Sequence, residues 1–363
     1  MKKKKTIKVK KAIRVENSET SVTLQPVKKN NWLRNLFFVS IFCIGIGVSS
    51  IFIATKKLVQ LIDIPYNSLK EIGSEIQKPL PERMNILLLG IGGEGHEGPL
   101  LTDSMLFISL TKDHPPVLVS LPRDLWSDTL KDKLNTAYYY GETQKRTGGG
   151  IGFTKEIVRE ITGQNVDRII VVDFSLFKKS IDVIGGVDVN VTESFSDPEY
   201  PIEGMEQDLC NGDPRYRCRY HIVTFNKGVE HMDGARALTY VRSRHAEGDE
   251  GTDFSRGKRQ QAVLEAIKKQ LVSSDMLHQP ERFIQLYKLA TNNIKTDSSV
   301  SDLVAMGKFV IQSIDKKPLH VSLEQVLMNP NPGYYENRYV LIPSLSLTDF
   351  QKYIEASLSG SGL

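Results

Sequence analysis

Cysteine is scarce in this chain of 363 residues, with only Cys43, Cys210 and Cys218. No further Cys or His stands at ligand spacing beside the last two, which argues against a metal pair there. The chain also lacks an internal repeat. After Val272 no stretch rich in Pro, Gly or Ser forces a second domain. Charge of one sign is nearly absent: the formal net charge is +4, and much of the basic excess sits in residues 1–34, which open K-K-K-K-T-I-K-V-K-K. Beyond that tail the chain is close to neutral, with the mix of apolar, charged and turn residues of a globular protein.

Charge is missing altogether from residues 36–54, L-F-F-V-S-I-F-C-I-G-I-G-V-S-S-I-F-I-A. At a helical rise of about 1.5 Å per residue this run nearly matches a hydrocarbon core of roughly 30 Å. The expectation is one membrane helix over 35–55. The alternative, a cleaved signal peptide, has a shorter apolar region and a small-residue cleavage site that does not follow cleanly here. Lysines and arginines crowd the N-terminal flank, so residues 1–34 are expected in the cytoplasm and everything after Thr55 outside, with the tail drawn to anionic lipid headgroups. Only the short basic tail then faces the genome, and it carries no helix-turn-helix pattern, so nucleic acid is not an expected partner. Cys43 falls in the membrane run as an apolar filler. Cys210 and Cys218 fall in an oxidising compartment, where a local disulfide is expected, with the N-G-D-P turn between them closing a hairpin.

Residues 56–82 read as a polar stalk ending in K-P-L-P-E-R. The folded unit begins at 83. Apolar runs at 84–89, 105–110, 117–121 and 167–174 read as strands, and 338–343 is strand-like. Helical spacing recurs at 134–140, 154–161, 177–184, 235–242, 257–272, 280–291, 300–314 and 348–357. Such interleaving predicts an α/β domain with a central mixed sheet flanked by helices, a core at 83–275 and a segment, 276–363, completing the same domain.

The densest chemical signal lies in residues 237–261, A-L-T-Y-V-R-S-R-H-A-E-G-D-E-G-T-D-F-S-R-G-K-R-Q-Q. Arg242 ends one helical pattern, Arg244 follows, and Arg256, Lys258, Arg259 and Gln260 open the next. Two readings stand: a solvated charged face, or a convergent guanidinium cluster that binds phosphoryl oxygens bidentately. S-L-P-R-D at 120–124 places Arg123 and Asp124 at the end of a strand, where α/β sheets put ligand contacts. L-T-D-S-M at 101–105 places Asp103 before a strand, as a turn residue or as one carboxylate for a hard cation. The glycine-rich G-I-G-G-E-G-H-E-G at 90–98 meets neither the dinucleotide nor the P-loop spacing. It is a surface loop, or its Glu94, His96 and Glu97 join a site.

Taken in order, L-L-L-G, L-T-D-S-M, S-L-P-R-D, K-L-N-T-A-Y at 133–138, V-D-F, I-G-G-V-D-V, G-x-x-x-M-D-G-x-x-A-L-x-Y-V-R-S-R at 228–244 and D-F-S-R-G-K-R-Q-Q at 253–261 resemble the LytR–CpsA–Psr family domain. The resemblance covers about 84–272, and the basic tail with its single membrane run agrees with the family's layout. It implies a magnesium-assisted transferase that moves a glycopolymer phosphate from a polyprenyl-diphosphate carrier to a peptidoglycan hydroxyl. It also implies a diphosphate clamp of Arg123, Arg242, Arg244, Arg256, Arg259 and Gln260, a metal-associated Asp103, and an acidic Asp253 ahead of the R-x-x-R-Q run. A polyprenyl chain further requires an apolar pocket or groove opening toward the membrane. The pattern departs from the family where many members carry an aspartate after L-L-L-G and an arginine ahead of T-D: this chain has Ile91 and Gly92, and Leu101. Glu94 or His96 is the candidate replacement ligand. Water as acceptor would make the same site a phosphohydrolase, and loss of turnover would leave a lipid-binding protein.

Overall fold

The structure, a computed structural model, describes residues 73–359. The basic tail, the apolar run expected to span the membrane, Cys43 and stalk residues 56–72 lie outside the described residues. Among the described residues no helix is long and apolar enough to cross a membrane.

In chain order the main elements are β1 (Arg83–Ile91), β2 (Thr102–Thr111), β3 (Val117–Ser120), α1 (Ala137–Thr143), α2 (Gly149–Thr162), β4 (Arg168–Asp173), α3 (Phe174–Val183), β5 (Val187–Val191), β6 (Phe195–Pro201), β7 (Tyr220–Phe225), β8 (Gly228–Met232), α4 (Gly234–Arg242), α5 (Asp253–Leu271), α6 (Pro280–Asn293), β9 (Lys295–Thr296), α7 (Val300–Gln312), β10 (Leu319–Val321) and α8 (Leu347–Leu358). Six strands make the central sheet in the order β9-β4-β1-β2-β3-β10. It is mixed: β1 runs antiparallel to β2 and parallel to β4, and β10 runs parallel to β3. This agrees with the α/β layering expected from the interleaved apolar runs.

From Ile86 to Leu89 β1 is continuously apolar because both of its faces are covered. Ile86 joins one core with Ile181, Phe283 and Phe309, and Leu87 and Leu89 join the other with Phe107, Ile157 and Phe350. The segment after residue 276 contributes to both cores and supplies two strands of the sheet. The end of the expected stalk packs on α7. Lys308 Nζ donates to the carbonyls of Ile76 and Lys78, and Leu80 is buried.

The strands β5 to β8 and the two sheet-edge strands β9 and β10 escape the sequence reading. β5 pairs with β8 and β6 with β7, both antiparallel. β5, V-D-V-N-V, alternates buried and exposed residues, a period-two signal only five residues long. The N-G-D-P turn lies between two antiparallel strands, β6 and β7, as expected, but in a long connection and not in a tight hairpin. A short 3-10 turn, Cys210–Gly212, lies within the longer connection between β6 and β7, and a disulfide joins Cys210 to Cys218 with their Cα atoms 5.4 Å apart. The strand-like 338–343 reduces to Ile342–Pro343, paired with Leu327–Met328.

Candidate functional site

One edge of the sheet gathers the carboxyl ends of β1, β3 and β4 with the start of β2, which runs the other way. Ligands in α/β sheets bind outside such strand ends. Asp173 ends β4 and caps α3, its Oδ1 accepting from the Leu176 amide at 2.7 Å. Gly93, with φ +83°, lets the glycine loop pass over it: a Cβ there would stand 2.8 Å from the Asp173 Cβ. Asp103 near the start of β2 accepts from Arg123 Nη1 at 2.5 Å, and that arginine follows β3.

Behind this edge lies a cavity of about 450 Å³, walled by apolar side chains that include Leu106, Phe177, Ile181, Leu264, Ile267 and Leu286. Its polar lining is concentrated in Asp103, Arg123, Asp173, Arg242, Arg244 and Arg256, with Asp197, His245 and Gln260. Arg242 ends α4 and stacks on the Phe174 ring at 4.4 Å, which orients a guanidinium over an apolar floor. The backbone of the next turn is fixed by Asp197. This fully buried carboxylate accepts from the amides of Arg244 at 2.8 Å and His245 at 3.2 Å. Arg256 stands in the first turn of α5, which Thr252 caps by accepting from the Ser255 amide.

Of the residues marked in the sequence, the fold therefore brings Asp103, Arg123, Arg242, Arg244, Arg256 and Gln260 to one cavity. Arg259 is elsewhere. It is 3% exposed and donates to the carbonyls of Tyr240 (3.1 Å), Ser243 (2.5 Å) and Glu250 (2.9 Å) and to Glu250 Oε2 (2.8 Å). Burial lowers its pKa, and Glu250 opposes that shift. Asp124 is also buried outside the cavity lining and accepts from Lys133 Nζ at 2.5 Å. The side chain of Asp253 lies outside the described positions.

Neither candidate replacement ligand reaches the cavity lining. Glu94 is exposed, and His96 folds back, its Cβ 3.0 Å from where a Gly92 Cβ would stand. The His96 ring meets Phe174 edge-on, with Nε2 3.4 Å from Glu203 Oε1. The sequence reading passed over Asp173, Phe174, Asp197 and His245. An aspartate directly before a helical pattern, as in V-D-F, is a recognisable cap signal and marks Asp173. Asp197 offers no such signal, because its partners lie 47 and 48 residues away.

The cavity thus combines apolar walls with four guanidinium groups. The LytR_cpsA_psr family model matches residues 65–352, and the chain belongs to that family. It is 26% identical to the polyisoprenyl-teichoic acid–peptidoglycan teichoic acid transferase TagV of Bacillus subtilis over 77% of this chain and 68% of that protein. It is 27% identical to the corresponding transferase TagU of Bacillus cereus over 76% of this chain and 81% of that protein. The crystal structure of B. subtilis TagV superposes with a TM-score of 0.52 at 25% identity, covering 77% of this chain and 98% of that one.

The family resemblance implies magnesium, and the donors at the cavity suit a hard cation: Asp103 and Asp173 are carboxylates, and the Asp103 side chain is 38% exposed. They do not make a closed cage. Among the described residues the only convergence of three ligand-type side chains is Asp208, Cys210 and Cys218, whose cysteines are in the disulfide. An ion at the cavity would take its remaining ligands from substrate phosphate and water.

Proposed function

We propose that this protein transfers a glycopolymer phosphate from a polyprenyl-diphosphate carrier to a peptidoglycan hydroxyl, at the outer face of a membrane in which residues 35–55 anchor it. The observation that carries this reading is a single cavity of about 450 Å³ whose largely apolar lining also includes Arg123, Arg242, Arg244 and Arg256. A polyprenyl chain supplies the apolar body and a diphosphate the anionic head. The relatives' names, polyisoprenyl-teichoic acid–peptidoglycan teichoic acid transferases, point to the same substrate class.

Phosphoryl transfer depends on positioning and on neutralising charge as it shifts between oxygens. The arginines hold the diphosphate by its non-bridging oxygens and stay charged at any physiological pH. Phe174 and Asp197 keep Arg242 and Arg244 in place, so little reorganisation is needed during reaction. The acceptor oxygen bonds to the phosphorus next to the glycan, and the bond from that phosphorus to the bridging oxygen breaks. Polyprenyl monophosphate leaves, and the proton of the acceptor hydroxyl is balanced on it. Asp103 and Asp173 are the residues that would hold magnesium, which when bound supplies further positive charge at the phosphoryl oxygens.

The test is product analysis. The purified full chain in detergent is incubated with a radiolabelled polyprenyl-diphosphate oligosaccharide and magnesium, with and without peptidoglycan fragments. Label on the glycan acceptor is expected. Label released only as free phosphorylated oligosaccharide would replace the reading with a hydrolase, and tight binding without turnover would replace it with a lipid-binding protein.

A further inference from the structure

A second cavity, of about 120 Å³, abuts the first and shares with it Asp103, Ser104, Arg256 and Gln260, which form the partition between them. Its character is different. Where the large cavity is walled almost wholly by apolar side chains, this one sets Ser120, Lys258, Gln261, His320 and Ser322 among apolar neighbours that include the Phe254 ring. It is far too small for a polyprenyl chain, and its hydroxyl, amide and ammonium groups beside one aromatic face are the chemistry that recognises a sugar.

Local structure holds this pocket ready. Gln261 Nε2 donates to Ser120 Oγ at 3.0 Å, tying α5 to the end of β3. Gly257 makes that approach possible, because a Cβ there would stand 3.0 Å from Ser120 Oγ. On the edge strand β10, His320 lines the pocket, and its Nε2 lies 3.1 Å from Glu265 Oε1, which fixes the ring.

We infer that this second cavity is the acceptor subsite and binds the saccharide whose hydroxyl receives the glycopolymer phosphate, a reading that rests on the transferase function proposed above. The reason is one of direction. In phosphoryl transfer the attacking and leaving oxygens lie roughly in line through phosphorus. The leaving polyprenyl phosphate belongs to the large apolar cavity, so the nucleophile must approach across the Asp103, Arg256 and Gln260 partition, from the smaller and more polar one. The glycan already attached to the donor phosphorus occupies neither end of that line.

The experiment uses the full chain in detergent and the N-acetylglucosamine–N-acetylmuramic acid disaccharide as probe, with two readouts. Saturation-transfer NMR reads binding of the disaccharide to wild type, Ser322→Trp and Lys258→Ala, and the transfer assay reads turnover. Both substituted residues are exposed. The expected result is disaccharide binding to wild type, weakened at least about 10-fold in both variants, with affinity for the polyprenyl diphosphate changed less than about twofold. No disaccharide binding to wild type, or equal binding to all three proteins, overturns the subsite. Disaccharide binding that is abolished in the variants, with no labelled glycan product from wild type, would overturn the transferase reading and leave a saccharide site. Transfer that proceeds unchanged in both variants would sink the subsite alone.

Discussion

Replacing Arg259 by alanine separates an arginine that builds the site from those that face it. The guanidinium is 3% exposed and satisfies three backbone carbonyls and one carboxylate oxygen. It also lies over the Phe195 ring at 4.7 Å. The three carbonyls belong to Tyr240, Ser243 and Glu250, so this one side chain ties the end of α4 to the turn leading into α5. Truncation strands those acceptors. A buried polar group left unpaired costs about 1–3 kcal/mol, and breaking a buried ion pair by removing one partner costs about 3–5 kcal/mol. The Glu250 side chain, 25% exposed, recovers some solvation. The expected loss for Arg259→Ala is therefore about 4 kcal/mol, a fall in Tm on the order of 10 °C for a domain of this size. Arg259→Lys keeps the charge but not the planar fork and should recover less than half of it. Urea unfolding followed by circular dichroism measures both. A loss below about 1 kcal/mol in Arg259→Ala would refute the reasoning and return Arg259 to the diphosphate clamp that the family resemblance implies.

The other predictions concern the cavity, the disulfide and one ion pair. Arg242→Ala, which removes a guanidinium held mainly by stacking on Phe174, should lower transfer turnover by about 10²–10³ while changing stability by less than about 1 kcal/mol in the same unfolding assay. Leu264→Trp projects an indole into the apolar cavity and should weaken binding of a long polyprenyl diphosphate at least tenfold more than that of a short-chain analogue, read by competition binding. Reducing the Cys210–Cys218 bridge, with a sequence separation of 8, should cost about 2–3 kcal/mol in the chain-entropy picture, measured as the difference between oxidised and Cys210→Ser/Cys218→Ser proteins. Burial alone would raise the Asp302 pKa, but hydrogen bonds from Arg168 and Ser299 hold it below the ordinary carboxylate value. Its contribution is thus full above the unfolded carboxylate pKa and lost as pH falls through the lower folded value. Arg168→Gln should flatten the acid limb of the stability-versus-pH curve there.

The parts of this fold written in local patterns were legible. Apolar runs such as M-N-I-L-L-L marked the buried strands because a strand covered on both faces needs no alternation, and the helices around residues 235–242 and 257–272 showed through their spacing. What stayed hidden depends on interactions between distant residues. β6 and β7 are short, pair with an irregular register and are joined through a long disulfide-braced connection, so periodicity does not mark them. The arginine-rich stretch pointed to phosphate but did not say which guanidiniums face it. Arg256 and Arg259 are one turn apart on α5, yet one lines the cavity and the other clamps backbone, a distinction set by the turn at Tyr240 to Glu250 that packs around α5. Asp197 is invisible for the same reason: its role exists only once β6 lies beside the residues after α4.

The most direct test of the central claim is a crystal structure of the protein with a polyprenyl-diphosphate oligosaccharide. The polyprenyl chain is expected in the cavity bounded by Leu264, Ile267 and Leu286, with the diphosphate oxygens on Arg123, Arg242, Arg244 and Arg256. A diphosphate bound away from these arginines, or a lipid chain lying outside the cavity, would contradict it.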